Sequence, residues 1–122
     1  MTLYLAGPMR GKPAFNKRAF DKATAALRAA GYGVISPVEM DEFAGWDLNT
    51  MTTLDLPPNW RREVLARDTE AVSLSDGVAL LPDWSESEGA VVEIACARFL
   101  RIPVREVEAW LACTPIPQPA AQ

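Results

Sequence analysis

Glu93 and Asp68 are the two residues whose surroundings point most directly to chemistry. Glu93 sits in Ala90-Val91-Val92-Glu93-Ile94-Ala95-Cys96-Ala97, a stretch with no other charged residue. A helix apolar on nearly every side is a buried helix, so a glutamate within it must be at least partly desolvated. Desolvation raises a carboxyl pKa unless donors or cations compensate, and an unpaired buried carboxylate is costly. Asp68 repeats the pattern. It lies three residues after Leu65, four after Val64 and four before Val72, on the apolar stripe of its helix and away from Arg62 and Glu70. The plain alternatives are a solvated helical glutamate and a buried aspartate that caps a helix or forms an ion pair.

There is no histidine among the 122 residues. Ser-His-Asp and Cys-His triads, histidine-held metals and imidazole acid-base catalysis are therefore excluded. Two carboxylates on core-facing helical positions suggest instead the paired acid/base and nucleophilic work that glycosidases perform. Cys96 and Cys113 form no CxxC pair and have no histidine to join them, so no metal site is expected. Two reduced thiols fit a cytoplasmic protein.

These residues need a scaffold. Thr2 to Ala6 reads as a buried first strand, stopped by Gly7 and Pro8. From about Pro13 to Ala30 the residues Phe15, Ala19, Ala23, Leu27 and Ala30 recur at helical spacing, with Gly31 closing the helix. Tyr32 to Ser36 is a second strand. Asn59 is placed to cap a helix running to about Ser75, Gly77 to Leu81 is a third strand, and Ser87 to Leu100 a third helix. Ile102 to Val104 and Arg105 to Ala112 complete the pattern as a short strand and a last helix. The alternation predicts a Rossmann-like α/β fold, three layers α/β/α with a small parallel sheet of 4-5 strands.

One domain is expected over residues 1–113. Within it, Pro37 to Pro58 shows no periodicity over about 22 residues, where connections usually take ~4 to 6. Its Trp46, Leu48, Leu54 and Leu56 argue against plain disorder, so the segment is read as a lid or an interface loop. Thr114 to Gln122, with three prolines, is read as a frayed tail.

Ligands of open parallel sheets bind beyond the carboxyl ends of the strands. Two segments occupy that place. Gly7-Pro8-Met9-Arg10-Gly11-Lys12 has the glycines and cations of a phosphate loop, but only three residues separate Gly7 from Gly11 and Lys12 precedes a proline. A Walker A loop needs four residues there and a Ser/Thr after the lysine, so NTP hydrolysis is set aside. In Trp84-Ser85-Glu86-Ser87-Glu88-Gly89, Ser85 and Glu88 have capping-box spacing, and Ser87 with Gly89 puts a hydroxyl and open amides at a helix start.

Composition narrows the partners. The net charge is -4, hydrophobic residues make up 49% and charged residues 23%, so the chain folds as a globular domain. A negative total disfavours a nucleic acid polymer, whose phosphates call for a basic patch. No apolar run reaches the ~18 residues of a membrane span, and the first residues lack a basic region ahead of an apolar one, so neither membrane nor export signal is expected.

Tyr4-Leu5-Ala6-Gly7-Pro8-Met9-Arg10-Gly11, an Asp68 ahead of a strand, and Ser87-x-Gly89-x-x-x-Glu93 occur in that order. Together they resemble the nucleoside 2-deoxyribosyltransferase superfamily, which includes 2'-deoxynucleoside 5'-phosphate N-hydrolases and small phage and bacterial relatives of unassigned function. The resemblance spans about residues 3 to 104. It implies Glu93 as the nucleophile on the anomeric carbon, Asp68 as proton donor to the leaving base, and Tyr4 as the residue orienting Glu93. It implies substrate contacts from Gly7, Pro8, Met9, Arg10, Gly11, Ser87 and Gly89, to which Trp46 of the long segment is added. No cofactor is implied, and the family forms homo-oligomers with composite sites, so a homodimer or higher assembly is expected.

The residue six before the nucleophile separates the family's substrates. Transferases acting on free nucleosides carry an aspartate there, and 5'-phosphate hydrolases a serine. Ser87 therefore favours a nucleoside monophosphate, because a carboxylate would repel the phosphate dianion. Glu86 and Glu88 bring opposing charge to the same place. The expected activity is hydrolysis of a (deoxy)nucleoside 5'-monophosphate to base and sugar phosphate. Base-exchanging deoxyribosyl transfer and a non-catalytic nucleotide-binding or sensing protein are the alternatives.

Overall fold

A computed structural model describes residues 1–113, so the reading of Thr114 to Gln122 lies outside the described residues. Four strands are described, β1 (Thr2–Ala6), β2 (Gly33–Ile35), β3 (Gly77–Leu80) and β4 (Val104–Glu106), all parallel and in the order β2-β1-β3-β4. The central strands are buried on both faces, which is why they read as unbroken apolar runs. Alternation along β1 and β3 sends Leu3, Leu5 and Ala79 to one face and Tyr4, Ala6, Val78 and Leu80 to the other.

Helices α1 (Lys17–Ala29) and α5 (Val107–Leu111) cover the first face, where Phe20, Leu27 and Trp110 fill the core. Helices α3 (Trp60–Ser73) and α4 (Glu88–Phe99) cover the second with Val72, Ala90 and Ile94. The three-layer α/β/α arrangement is the one the alternation of elements predicts. Among the described residues no helix is long and apolar enough to cross a membrane.

Several expectations need correction. The first helix does not start at Pro13. Pro13–Asn16 is a 3-10 turn in which Ala14, Phe15 and Asn16 take left-handed φ values of 49°, 55° and 61°, a turn that carries the Phe15 ring into the core before α1 begins. The fourth strand is Val104–Glu106 instead of Ile102 to Val104. Arg101 takes a φ of 62°, and the carbonyl of Pro103 accepts from Val78, so the pairing with β3 starts only there.

The segment 37–58, expected to lack regular structure, contains a helix and is partly anchored in the core. It opens with helix α2 (Pro37–Phe43), whose proline sits in the first turn where its missing N–H costs nothing. Val38 and Leu48 are fully buried in the first-face core, and Trp46 and Met51 pack against it. A helix of two turns is too short for its periodicity to stand out in a sequence. The fourth helix, α4, is also less enclosed than its composition suggests. Ala90, Glu93, Ile94 and Ala97 face inward, while Val91 and Val92 are half exposed and Phe99 is exposed.

Trp110 ties α5 to the sheet. Its indole N–H donates to the carbonyl of Val78 at 2.9 Å, and Tyr32 Oη donates to its carbonyl at 2.8 Å. The ring lies so close to Gly77 that a Cβ there would stand 2.6 Å from it and 2.9 Å from a methyl of Leu3. A Gly77→Val substitution is therefore expected to push α5 off the sheet and lower stability by about 1–3 kcal/mol, read by urea denaturation.

Candidate active site

The strand order fixes where a ligand can sit. From β1 the chain passes through α1 to β2 on one side, and from β3 through α4 to β4 on the other. The crevice between the carboxyl ends of β1 and β3 is the switch point at which such sheets bind ligands. A cavity of about 460 Å³ opens there. The chain leaving β1 lines it with Gly7, Met9 and Arg10, α3 with Trp60, Arg61 and Asp68, and the start of α4 with Ser87, Gly89 and Glu93.

At its inner end lies a connected row of ionisable groups. Tyr4, on the central strand and fully buried, donates its Oη–H to Glu93 Oε2 at 2.7 Å. The carboxyls of Glu93 and Asp68 are close enough for each to influence the other's ionisation. Arg67 donates from Nε to Asp68 Oδ1 and from Nη1 to Asp41 Oδ1, both at 2.8 Å. Asp41 comes from α2 and is buried.

Burial pushes Glu93 up to about 8, and the neighbouring Asp68 charge pushes the same way. Asp68 is raised by burial, against the pull of Arg67, and Asp41 is raised by burial with Arg67 again opposing. Burial also lifts the Tyr4 phenol well above its ordinary value, with Glu93 adding to it. Burial alone would lower the Arg67 guanidinium, but Asp68 and Asp41 overcome this and hold it above its usual value. Burial thus disfavours the charged form at both carboxyls, and the Glu93–Asp68 pair as a whole holds a proton to higher pH than free carboxyls do.

The mouth of the cavity is built differently. Arg10 lies 4.2 Å and Arg61 4.8 Å over the Trp60 ring, near enough for cation-π attraction. Arg10 is lowered from its usual value by burial and by the like charge of Arg61. Two exposed cations brought together at the rim of the cavity attract an anion. Ser87 caps α4 by accepting from the Ala90 N–H at 3.1 Å, which leaves its own hydroxyl hydrogen free to donate. The cap is Ser87 and not the Ser85–Glu88 pair, because Ser85 falls in the 3-10 turn Trp84–Glu86 ahead of the helix. Glu86 and Glu88 both line the cavity, but lie 4.0 Å from Lys12 and 3.6 Å from Arg61.

Of the residues singled out in the sequence, Gly7, Met9, Arg10, Asp68, Ser87, Gly89 and Glu93 line this one cavity, and Tyr4 stands behind Glu93. Gly7 is needed for packing, since a Cβ there would stand 2.7 Å from Leu81. Three residues do not line it. Pro8 is buried beside the cavity and its carbonyl accepts from Asn16, Gly11 is an exposed turn residue, and Trp46 packs on the first-face core. The aromatic residue of the site is Trp60. Trp60, Arg61, Arg67 and Asp41 went unread in the sequence. One available signal was Arg61 and Arg62 in the first turn of a helix, where the dipole disfavours cations.

Residues 1–106 match the family model described as Domain of unknown function (DUF4406). The chain belongs to that family. Among solved structures it is similar to a 2-deoxyribosyltransferase from the psychrotolerant bacterium Bacillus psychrosaccharolyticus, described as a biocatalyst for nucleoside synthesis. The two are 25% identical with a TM-score of 0.61, over 85% of this chain and 69% of the other. No curated protein matches. The parallel α/β fold of this DUF4406 member is thus the deoxyribosyltransferase fold, as the sequence resemblance implies.

The raised carboxyl has a measurable consequence for stability. A carboxyl whose pKa rises on folding keeps its proton in the folded state where the unfolded chain has lost it. Stability is therefore expected to fall as pH rises from about 4.5 to about 8, and Asp68 and Asp41, raised as well, act with the same sign. The slope per proton approaches about 1.4 kcal/mol per pH unit. Glu93→Gln should flatten this decline in urea denaturation curves recorded across that interval.

Proposed function

We propose that this protein is an N-glycosidase that cleaves a (deoxy)nucleoside 5'-monophosphate into free base and sugar phosphate. The observation that carries the reading is the two-ended cavity. A proton-sharing carboxyl pair backed by Tyr4 lies at one end, and Arg10, Arg61 and the Ser87 hydroxyl at the other. A nucleotide has matching ends, a glycosidic carbon and a phosphate.

In this reading the proton held by the pair passes from Glu93 to the neighbouring Asp68. Glu93 becomes the nucleophile and Asp68 the acid in a single transfer. The Glu93 carboxylate attacks C1' while the bond from C1' to the base nitrogen breaks, and Asp68 protonates the departing base. Asp68, now a carboxylate, takes a proton from water, and the resulting hydroxide displaces Glu93 from C1'. Covalent catalysis of this form divides glycosidic cleavage into two easier steps. Tyr4 holds the Glu93 carboxyl by its 2.7 Å hydrogen bond. Likeness to a 2-deoxyribosyltransferase supports a second reading, in which an acceptor base replaces water in the second step.

A homo-oligomer goes with either reading. Leu65 and Val92 line the cavity yet are half exposed, and Val91 and Phe99 extend the same apolar surface along α4. Exposed apolar patches of this kind mark association sites. We expect the protein to sediment as a dimer or larger assembly and Val92→Glu with Phe99→Glu to give a monomer; a monomeric parent protein would contradict this.

Incubation with a panel of ribo- and deoxyribonucleoside 5'-monophosphates, followed by chromatography for released base, tests the reaction. Release should vanish in Glu93→Gln and fall by roughly 10²–10⁴ in Asp68→Asn. Base exchange that needs an added acceptor base supports the transferase. Saturable nucleotide binding without turnover at high protein concentration overturns both.

A further inference from the structure

Arg67 and Asp41 belong to the row of charges at the inner end of the cavity, yet neither lines it. Arg67 faces a separate shallow groove beside Ile35, Met40 and Phe43, and reaches the carboxyl pair from behind. Its guanidinium is divided between two buried carboxylates, Asp68 through Nε and Asp41 through Nη1. Asp68 and Arg67 are adjacent in α3 and could pair without help, so the arrangement does not explain by itself why a second carboxylate is brought in from α2 and buried.

The charge balance supplies the reason. A guanidinium whose whole charge acted on Asp68 would hold it as a carboxylate and oppose its protonation. Asp41 takes part of that charge. The other groups facing the pair are Tyr4 from β1, which donates to Glu93, and Arg10 from the loop after β1, whose charge acts on Glu93 and Asp41. Glu39 of α2 shares the groove with Arg67 but is engaged by Arg28 at 2.6 and 2.8 Å.

We propose that Arg67 and Asp41 are positioning residues for the carboxyl pair: Arg67 orients Asp68, and Asp41, by sharing the charge of Arg67, leaves Asp68 able to accept the proton that Glu93 gives up. The catalytic half of this statement rests on the glycosidase reading; the charge sharing does not. It gives the segment 37–58 a use at the site, because α2 within it delivers Asp41.

The two single substitutions have opposite signs. Asp41→Asn keeps the shape and removes a negative charge, so both carboxyls of the pair should titrate at lower pH, by about half a pH unit or more. Arg67→Gln removes the cation, so they should titrate at higher pH, and the double variant should return towards the parent value. The measurement is carbon-13 NMR of the Asp and Glu carboxyls in the full-length protein, with thermal melting to check folding. Shifts in the same direction for both single variants, or no shift in Asp41→Asn, overturn the proposal. Asp41→Asn alone decides if Arg67→Gln does not fold.

The kinetic counterpart is a fall in kcat for base release with KM unchanged in Asp41→Asn, since Asp41 does not line the cavity. An equal loss carried by KM contradicts a positioning role. The titration needs no substrate. A protein with opposite shifts but no release of base from any nucleotide retains the charge-sharing pair and loses the glycosidase reading.

Discussion

Three buried carboxyls, those of Asp41, Asp68 and Glu93, lie close to one guanidinium that donates to only two of them, and the rest of the site follows from that imbalance. Ionising all three would leave net negative charge in a region from which water is largely excluded, and burial penalises the charged form. The cluster meets the constraint by keeping a proton. The Tyr4 hydroxyl donates to one side of the Glu93–Asp68 pair, and Arg67 donates to the other. A retained proton between two carboxyls is a mobile acid and, once moved, leaves a nucleophile. In the proposed reading, a protein with no histidine draws its proton chemistry near neutral pH from carboxyls.

The fold places each member of this row from a different element. Alternation along β1 turns Tyr4 to the face covered by α3 and α4 while its neighbours Leu3 and Leu5 pack on the opposite face. Asp68 and Glu93 project from two helices that pack side by side on that face, and α2 brings Asp41 from the first long connection. The switch in strand order opens the crevice directly in front of the pair. At the far end of the cavity the balance reverses. Arg10 and Arg61 crowd one indole there, while Glu86 and Glu88 are partly offset by Lys12 and Arg61. A cavity with carboxyls at its inner end and arginines among the charged groups of its mouth is compatible with a ligand that has a glycosidic bond at one end and an anion at the other.

How much of this could be read in advance differed by residue for identifiable reasons. Glu93 and Asp68 stood out because a charged residue at an apolar helical position contradicts its surroundings. The contradiction is local, visible within four residues on either side. Tyr4 and Ser87 came from motif resemblance. Trp46 draws attention because it lies in a segment without periodicity, yet that segment folds back on the core through Val38 and Leu48. Arg67 looked like an ordinary helical arginine, since nothing near it in sequence shows that Asp41 lies against it.

The sequence by itself determined what depends on neighbours along the chain. The unbroken apolar runs of the central strands and the helical stripes between them dictated a parallel α/β fold, and the absence of histidine excluded imidazole chemistry. Tertiary structure alone decided the pairings between residues far apart in the chain. These are Arg67 with Asp41 and Arg10 with Trp60, whereas Tyr4 with Glu93 was expected from motif resemblance. Periodicity reports which face of an element is buried, because burial recurs every two residues in a strand and every three or four in a helix. Which charges meet across that buried face depends on how the elements are ordered and how closely they pack, and those distances set whether a carboxyl keeps its proton.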